Sequence, residues 1–212
     1  ICGEPTDMDV GVQAKGVLMM RIVIPGTAAH GSTPWLGDNA ILRAVDYYER
    51  VMNLPFATTS SELFSRPSVN LSGITGGEAL NSVPGRCAID IDIRYVPGQD
   101  PQEILGQIRS LDPRAEITVL LERRPADGPT DHPYVQGLIA AAEAVSPGAE
   151  AVGRHGASDV GAFLGKGIPA VEFGPRGGGH HGVGEHVEIG SLSDYRRALE
   201  SFATTWASGA RA

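Results

Sequence analysis

The chain has 212 residues, of which 42% are hydrophobic and 20% charged, and its formal net charge is -8. This composition is typical of a globular protein, and the length suffices for one large domain or two small ones. The negative charge argues against a nucleic-acid partner, and no apolar run approaches the roughly 20 residues that a membrane-spanning helix needs.

The cysteines and the first residues of the chain indicate its cellular location and its place within a longer protein. Its two cysteines, Cys2 and Cys87, have no paired spacing, which argues against a disulfide scaffold and against a thiolate zinc site. Nothing resembles a signal peptide, so we expect a cytoplasmic location. Residues 1–6 begin without methionine and resemble the end of a buried strand that runs into a turn. We therefore expect the chain to be the C-terminal part of a longer protein.

The first half of the chain predicts a strand at 16–25 and then a helix capped by Asn39. The apolar residues of this helix that we predict to share one face are Ile41, Leu42, Val45, Tyr48 and Met52. Further strands are predicted at 68–74 and 86–96, then a helix from Pro101 and a strand at 116–121.

In the strand at 86–96, isoleucines at 89, 91 and 93 alternate with Asp90, Asp92 and Arg94, which indicates one buried and one wet face. The order strand, helix, strand, strand, helix, strand is the split βαβ pattern. We predict a four-stranded antiparallel sheet with both helices on one face.

The second half alternates helices with strands after a linker at 124–130. Its predicted elements are a helix at 133–145, a short strand and turn within 150–159, a short helix from Ser158, a strand at 168–174 and a helix at 191–207. This alternation is typical of a parallel sheet, although the strands are too few for a complete one. We predict that 1–13 and 125–212 form one incomplete α/β domain, into which a domain at 14–124 is inserted.

The segment 177–187 carries three of the six histidines within seven positions, surrounded by glycines. Glycine lets the backbone fold tightly, and imidazole together with carboxylate suits zinc, cobalt or manganese. A solvated flexible loop is the alternative. A phosphate site is less favoured, because no helix N-terminus follows the loop at once.

Three other residues have candidate roles that the residues alone leave open. Glu4 follows a predicted strand and is a metal ligand, a helix-cap acceptor or a solvated acid. His30 lies in a loop rich in glycine and threonine, where a satisfied polar residue is the simpler interpretation. Arg94 lies on the wet strand face, where it could simply be solvated.

Taken together and in order, seven motifs resemble the dinuclear metallopeptidase and deacylase family that holds acetylornithine deacetylase, succinyl-diaminopimelate desuccinylase and glutamate carboxypeptidase. These motifs are Gly3-Glu4-Pro5-Thr6, the loop 26–40 around His30, Asn81-Ser82-Val83-Pro84, Ile93-Arg94, Gly156-Ala157-Ser158-Asp159, Gly167-Ile168-Pro169-Ala170 and the segment 181–187. The resemblance covers nearly the whole chain.

The resemblance implies a zinc-aminopeptidase-like α/β catalytic domain, formed here in part by 1–13 and 125–212. It is interrupted by a ferredoxin-like split βαβ lid, or dimerisation domain, at 14–124. It also implies two divalent metal ions, zinc or cobalt. Glu4 resembles the ligand of one metal and His181 that of the other, and His181 is preferred to His180 because it precedes Glu185 by four residues.

Substrate contacts follow from the same resemblance. His30 is similar to the lid histidine that donates a hydrogen bond to the oxyanion in the partner subunit's site. Arg94 resembles the arginine that binds a substrate carboxylate, and Asn81, Gly156 and Ser158 resemble further substrate-binding residues. The expected partners are therefore a small N-acyl amino acid or peptide and a second copy of the chain, bound through the lid.

Two metals with open positions need about five protein ligands, and this chain offers two at matching positions. In the family, the other ligands and the general base, a glutamate, precede the Gly-Glu-Pro-Thr motif. We therefore expect the chain by itself to be an inactive part of a metal-dependent amide hydrolase. A non-catalytic dimerisation module is the alternative from another class.

The acyl group is left open by two departures from the desuccinylase pattern. Residues 14–17 (Ala-Lys-Gly-Val) stand where desuccinylases usually carry an Arg-Arg-Gly-Ser-like run, and Ala157 stands where many have threonine. Both weaken a desuccinylase assignment and leave an acetyl-type deacylase or a metallo-carboxypeptidase open.

Overall fold

The structure is a computed structural model and describes residues 1–209. It contains two compact units. The inserted unit is Gly16–Arg124, and the terminal unit combines Ile1–Lys15 with the described residues from Pro125 onward. Within the described residues, none of the helices combines the length and apolar character that crossing a membrane requires.

The strands are β1 (Val10–Ala14), β2 (Gly16–Pro25), β3 (Ala29–His30), β4 (Ser68–Gly76), β5 (Ser82–Val83), β6 (Arg86–Tyr95), β7 (Glu116–Arg123), β8 (Ala126–Asp127), β9 (Ala151–Arg154), β10 (Glu172–Phe173), β11 (Gly177–Gly178) and β12 (His186–Val187). The helices are α1 (Ala40–Met52), α2 (Pro101–Arg109), α3 (Pro133–Glu143), α4 (Val160–Leu164) and α5 (Ile189–Ala207). Two short 3-10 turns, Pro34–Leu36 and Pro55–Thr58, flank α1.

The inserted unit has the predicted split βαβ architecture. Its four-stranded sheet has the order β4-β6-β2-β7, and every pair is antiparallel. The predicted alternation in β6 is confirmed, because Ile89, Ile91 and Ile93 are at most 1% exposed while the residues between them are half-buried. These isoleucines, the apolar residues of β2 and the buried faces of α1 and α2 form one core. Both helices therefore cover the same face of the sheet.

Helix α1 begins as predicted, but a different face is buried. The Asn39 side chain accepts a hydrogen bond from the Ile41 backbone N–H at 2.9 Å. The face toward the sheet consists of Ala40, Ala44, Tyr47 and Val51, whereas Leu42 is 68% exposed. Two alanines let the helix approach the sheet closely, and the Tyr47 hydroxyl donates to a carbonyl of α2. The predicted face that includes Val45 and Met52 is therefore largely on the surface.

The terminal unit is built around β1. Strand β9 runs parallel to β1, but β8 and β10 pair with it antiparallel. The predicted parallel sheet is therefore wrong in part, and the sheet is mixed. The parallel neighbour of β10 is the N-terminal segment, since the Cys2 N–H donates to the Val171 carbonyl at 2.8 Å.

The strand predicted at 168–174 is shorter in the structure, where only Glu172–Phe173 forms β10. Ile168 is 49% exposed, and Pro169 has no N–H to donate to a ladder. Helices α3 and α5 pack against each other through aromatic rings, with the Tyr134 and Phe202 centroids 4.9 Å apart.

Candidate functional site

The Gly-Glu-Pro-Thr segment lies beside the C-terminal end of β10. The Phe173 N–H donates to the Cys2 carbonyl at 3.0 Å, which carries Glu4 to the position where the chain leaves β10 at Gly174. A Cβ on Gly174 would come within 2.0 Å of the Glu4 carbonyl oxygen. Glycine is therefore required where these two segments meet.

Hydrogen bonds join residues 6–8 to residues 174–177. The Gly174 N–H donates to Thr6 Oγ1 at 3.0 Å, the Met8 N–H donates to the Gly174 carbonyl at 3.0 Å, and the Gly177 N–H donates to Asp7 Oδ1 at 3.2 Å. Asp7 and Met8 both have left-handed backbones, with φ of 58° and 74°. Such conformations are costly for residues other than glycine, so the surrounding bonds must hold them in place.

The histidine-rich segment forms a small hairpin, in which β11 pairs with β12. His180 and His181 lie exposed between these two strands, and His181 has a left-handed backbone with φ of 61°. The His186 ring is engaged locally, since its Nδ1 lies 2.9 Å from the Gly184 carbonyl and must donate to it. This contact leaves His186 Nε2 free to accept, so His186 remains a candidate ligand beside His180 and His181, and it lines a second cleft together with Glu4 and His180.

One cleft of the terminal unit brings together the two predicted metal ligands. It has a volume of about 600 Å³, and its lining includes Glu4, His181 and the predicted pocket residue Gly156. His180 and Glu185 line the same cleft. Ser158 is not among the lining residues of this cleft, and its hydroxyl accepts a hydrogen bond from the Val160 N–H at the start of α4.

Three cleft residues were missed by sequence reasoning, namely Arg154, His155 and Glu172. Glu172 is only 5% exposed, and its Oε2 lies 3.3 Å from Arg154 Nε. An acid inside an otherwise apolar predicted strand was the available signal. The pKa of His155 is lowered by burial and then by the positive charges of Lys15 and Arg154, which favours the neutral imidazole.

The donor types fit a divalent metal, but only part of a centre is present. Carboxylate oxygen from Glu4 and imidazole nitrogen from His181 are ligands that zinc uses. Among residues 1–209, no group of three or more His, Cys, Asp or Glu side chains lies close enough to hold a metal ion. The described chain therefore offers suitable donors in a common cleft without a complete coordination shell.

In the inserted unit, the structure places His30 beside Asn81. Strand β3 pairs with β5, and the Gly31 N–H donates to the Asn81 carbonyl at 2.7 Å. His30 is exposed, and its Nδ1 accepts a hydrogen bond from the Ser32 backbone N–H at 3.2 Å. Because a backbone N–H can only donate, Nδ1 is an acceptor and the neutral ring carries its proton on Nε2.

The predicted carboxylate-binding arginine already has a carboxylate partner within its own strand. Arg94 Nε and Nη2 donate to the two carboxylate oxygens of Asp92 at 2.8 and 2.9 Å. This is the bidentate geometry that a guanidinium offers to any carboxylate. A substrate would therefore use the remaining donors of Arg94 or compete with Asp92.

Comparison with known families bears on these observations. Residues 12–111 match the family described as the peptidase dimerisation domain, of the M20 type. The chain is 29% identical over 203 residues to the succinyl-diaminopimelate desuccinylase of Gluconacetobacter diazotrophicus, covering 91% of this chain and 52% of that protein. It is 30% identical over 215 residues to the acetylornithine deacetylase of Myxococcus xanthus, covering 91% of this chain and 53% of that protein.

The fold has a solved counterpart in the crystal structure of the aminopeptidase PepT from Bacillus cereus. The TM-score is 0.78 at 18% identity, covering 95% of this chain and 55% of that one. The resemblance inferred from the seven motifs is confirmed, and so is the α/β fold with a dimerisation domain. The chain spans about half the length of the relatives it matches.

Proposed function

We propose that the whole protein is a metal-dependent amide hydrolase. The premise is that this chain contains an M20-type peptidase dimerisation domain and is related to metallopeptidases and deacylases. Its substrate would be an N-acyl amino acid or a small peptide. The observation that carries this proposal is the cleft that Glu4 and His181 line together, although 176 positions separate them in the sequence. Both are donor types that a catalytic zinc or cobalt ion takes.

In this proposal Glu4 holds one of two divalent metals and His181 the other. Bound metals would polarise the scissile carbonyl and lower the pKa of bound water toward roughly 7. The remaining ligands and the glutamate that acts as general base would come from residues outside the printed sequence. The printed chain alone is then an inactive part of the enzyme.

The inserted unit supplies the substrate contacts. His30 would donate its Nε2 proton in a hydrogen bond to the oxyanion of the tetrahedral intermediate, in the site of the partner subunit. The tautomer set by the Ser32 N–H supports this role, because it leaves a donor at the outer nitrogen. Asn81 lies beside it, and Arg94 would bind a substrate carboxylate. Gly156 and Ser158 would contribute to the pocket of the terminal unit.

A homodimer through the inserted unit is part of the same proposal. The exposed face of α1 carries Leu42, Val45 and Met52, at 68%, 41% and 40% exposure. This helix lies next to β4, an edge strand, since the Tyr48 hydroxyl donates to the Val69 carbonyl at 3.2 Å. An apolar helix face beside a free sheet edge suits self-association. A second candidate function is a non-catalytic dimerisation module, and the match to a dimerisation domain supports this candidate as well.

The substrate's acyl group is proposed from the departures in sequence. With Ala-Lys-Gly-Val at 14–17 and alanine at 157, an acetyl-type deacylase or a metallo-carboxypeptidase fits better than a desuccinylase.

We also place the enzyme in the cytoplasm, because both described cysteines are free thiols, as a reducing compartment maintains them.

The test is an assay of the complete gene product and of the printed chain, with zinc or cobalt, against N-acetyl amino acids, N-succinyl amino acids and small peptides. We expect activity in the complete protein, its loss on chelation and none in the printed chain. His181→Ala should abolish activity, and His180→Ala is the matched control that keeps most of it. Full activity in the printed chain, or equal effects of the two substitutions, would contradict these assignments.

A further inference from the structure

We propose that Arg154 is a positioning residue that holds the segment around Glu4 in place, and that the buried Glu172 orients the Arg154 guanidinium for this task. The proposal rests on the proposed function, because it gives Glu4 its ligand role. The contacts that carry it are a hydrogen bond from Arg154 Nη2 to the Pro5 carbonyl at 2.8 Å and the ion pair between Arg154 Nε and Glu172 Oε2 at 3.3 Å.

The route of the Arg154 side chain depends on a glycine in the central strand. Arg154 ends β9 and Glu172 begins β10, and both strands pair with β1. The side chain passes over Gly11 of β1, where an added Cβ would lie 3.1 Å from Arg154 Cγ and 3.0 Å from Glu172 Cβ. Glycine inside a strand commonly marks a close approach of this kind. Gly11 thus leaves the space in which the two charged side chains meet.

Glu172 fixes the guanidinium rather than merely neutralising it. The Glu172 side chain is 7% exposed, and a carboxylate this buried needs a charged or hydrogen-bonding partner. Arg154 meets that need with Nε, which leaves Nη2 directed at the Pro5 carbonyl. Arginine can serve two acceptors at once because its donors are held in a rigid plane. Lysine carries a single ammonium and cannot reproduce this arrangement.

The hydrogen bond from Arg154 to the Pro5 carbonyl also restrains Glu4, because Glu4 directly precedes Pro5 and the proline restricts the backbone of both residues. The proline ring restricts φ at position 5, so fixing the Pro5 carbonyl also limits the backbone of Glu4. On its other side, the Glu4 carbonyl packs against Gly174. The exposed Glu4 side chain is therefore attached to a backbone that is restrained on both sides, at Pro5 and at Gly174. Arg154, Pro5 and Glu172 all line the same cleft as Glu4.

The charge balance also suits a cation site. A lone guanidinium in the cleft would repel a divalent ion, whereas the ion pair with Glu172 has no net charge. Arg154 can therefore lie close to Glu4 and hold its segment without opposing metal binding.

The test uses the complete gene product and compares Arg154→Lys, Arg154→Gln and the double variant R154Q/E172Q. The double variant removes the guanidinium without leaving an unpaired buried carboxylate, so it keeps the test valid if R154Q fails to fold. The control is Arg21→Gln, which breaks the exposed bidentate pair with Asp90 in the inserted unit. Two quantities are measured, the hydrogen-exchange rate of the Met8 amide and the affinity for Zn²⁺ alone.

We expect R154Q and the double variant to raise Met8 amide exchange and to weaken Zn²⁺ binding, each about tenfold, with a smaller change in R154K and none in R21Q. Unchanged exchange, or faster exchange with unchanged zinc affinity, would overturn the positioning role of Arg154. A wild-type protein that binds no zinc would instead overturn the proposed function, and the metal-positioning role would fall with it.

Discussion

Asp7 Oδ1 accepts a hydrogen bond from the Gly177 backbone N–H at 3.2 Å, which joins the segment of one predicted metal ligand to the hairpin that carries the other. Asp7 makes this contact with φ of 58°, a left-handed conformation that aspartate and asparagine tolerate better than most residues. The contact therefore combines an acceptor with a residue type that suits the backbone.

Replacing Asp7 with alanine should loosen the hairpin. Asp7→Ala removes the acceptor and places a residue with no local hydrogen bond in a left-handed backbone, so we expect a loss of about 1–3 kcal/mol in local stability. Asp7→Asn is the matched control, because it keeps an oxygen acceptor and tolerates the same φ. Hydrogen exchange of the Gly177 amide is the measurement. Equal exchange rates in the two variants would show that the side chain does not hold the hairpin.

The cap of α1 should contribute measurably to the stability of the inserted unit. The Asn39 side chain accepts from the Ile41 and Leu42 N–H groups at 2.9 and 3.4 Å. Asn39→Ala leaves these donors without their partner and should cost about 1 kcal/mol, whereas Asn39→Asp keeps the acceptor and should be nearly neutral. Urea unfolding monitored by circular dichroism gives both values. A loss in Asn39→Asp as large as in Asn39→Ala would refute the capping explanation.

Acid should destabilise the inserted unit through Asp112. The pKa of Asp112 is lowered mainly by the hydrogen bond from the Arg114 side chain, then by the Arg114 backbone N–H, with a smaller attraction from Arg43. A carboxyl whose pKa is lower when folded adds stability that is complete above the unfolded value, about 3.9, and is lost as the pH falls through the folded value. We expect the free energy of unfolding to decrease below about pH 4.

Asp112→Asn should therefore lose about 1–3 kcal/mol at pH 7 and show a flatter acid dependence below pH 4. Asp46→Asn is the control, because Asp46 is 68% exposed in its side chain and lies 3.7 Å from its partner Arg50. Exposed pairs of this kind contribute at most about 1 kcal/mol. Urea unfolding curves at several pH values give the free energy of unfolding of each variant. An acid dependence of Asp112→Asn identical to that of the wild type would contradict the role of Asp112.

A charge on the exposed face of α1 should prevent dimerisation. Leu42→Glu introduces a carboxylate at a residue that is already 68% exposed, so the fold of each subunit should be kept while an apolar contact between subunits is lost. Leu120→Glu on β7, the opposite edge strand, is the matched control at 58% exposure. Sedimentation velocity should show monomers for Leu42→Glu and dimers for the control. The reverse pattern would move the interface to β7.

Much of the inserted unit could be predicted from sequence because its signals are local. The alternation of Ile89, Ile91 and Ile93 with polar residues follows from the two-residue period of a strand, and Asn39 caps the helix that directly follows it. For α1, the apolar period placed five residues on one face, but it did not show that another face packs against the sheet. Small residues at 40 and 44 pack against the sheet instead, because a close approach favours alanine over larger side chains.

In the candidate site, too, some features could be predicted from sequence and others could not. Sequence motifs made Glu4, His181, Gly156 and His30 candidates, since each lies in a short pattern that can be recognised without knowing the fold. The Asp92 partner of Arg94 was not predicted, although it is only two residues away, because it depends on the rotamers that both side chains adopt.

The sequence by itself determined the order of the elements, the split βαβ unit and the motifs, because helical and strand periods, caps and turns depend on residues a few positions apart. Only the tertiary structure decided that β10 runs antiparallel to β1, that Glu4 and His181 line one cleft, and that Arg154 reaches Pro5 and Glu172. These relations join residues that are far apart in the chain, and they depend on which strands are neighbours and on the space that a glycine leaves between them.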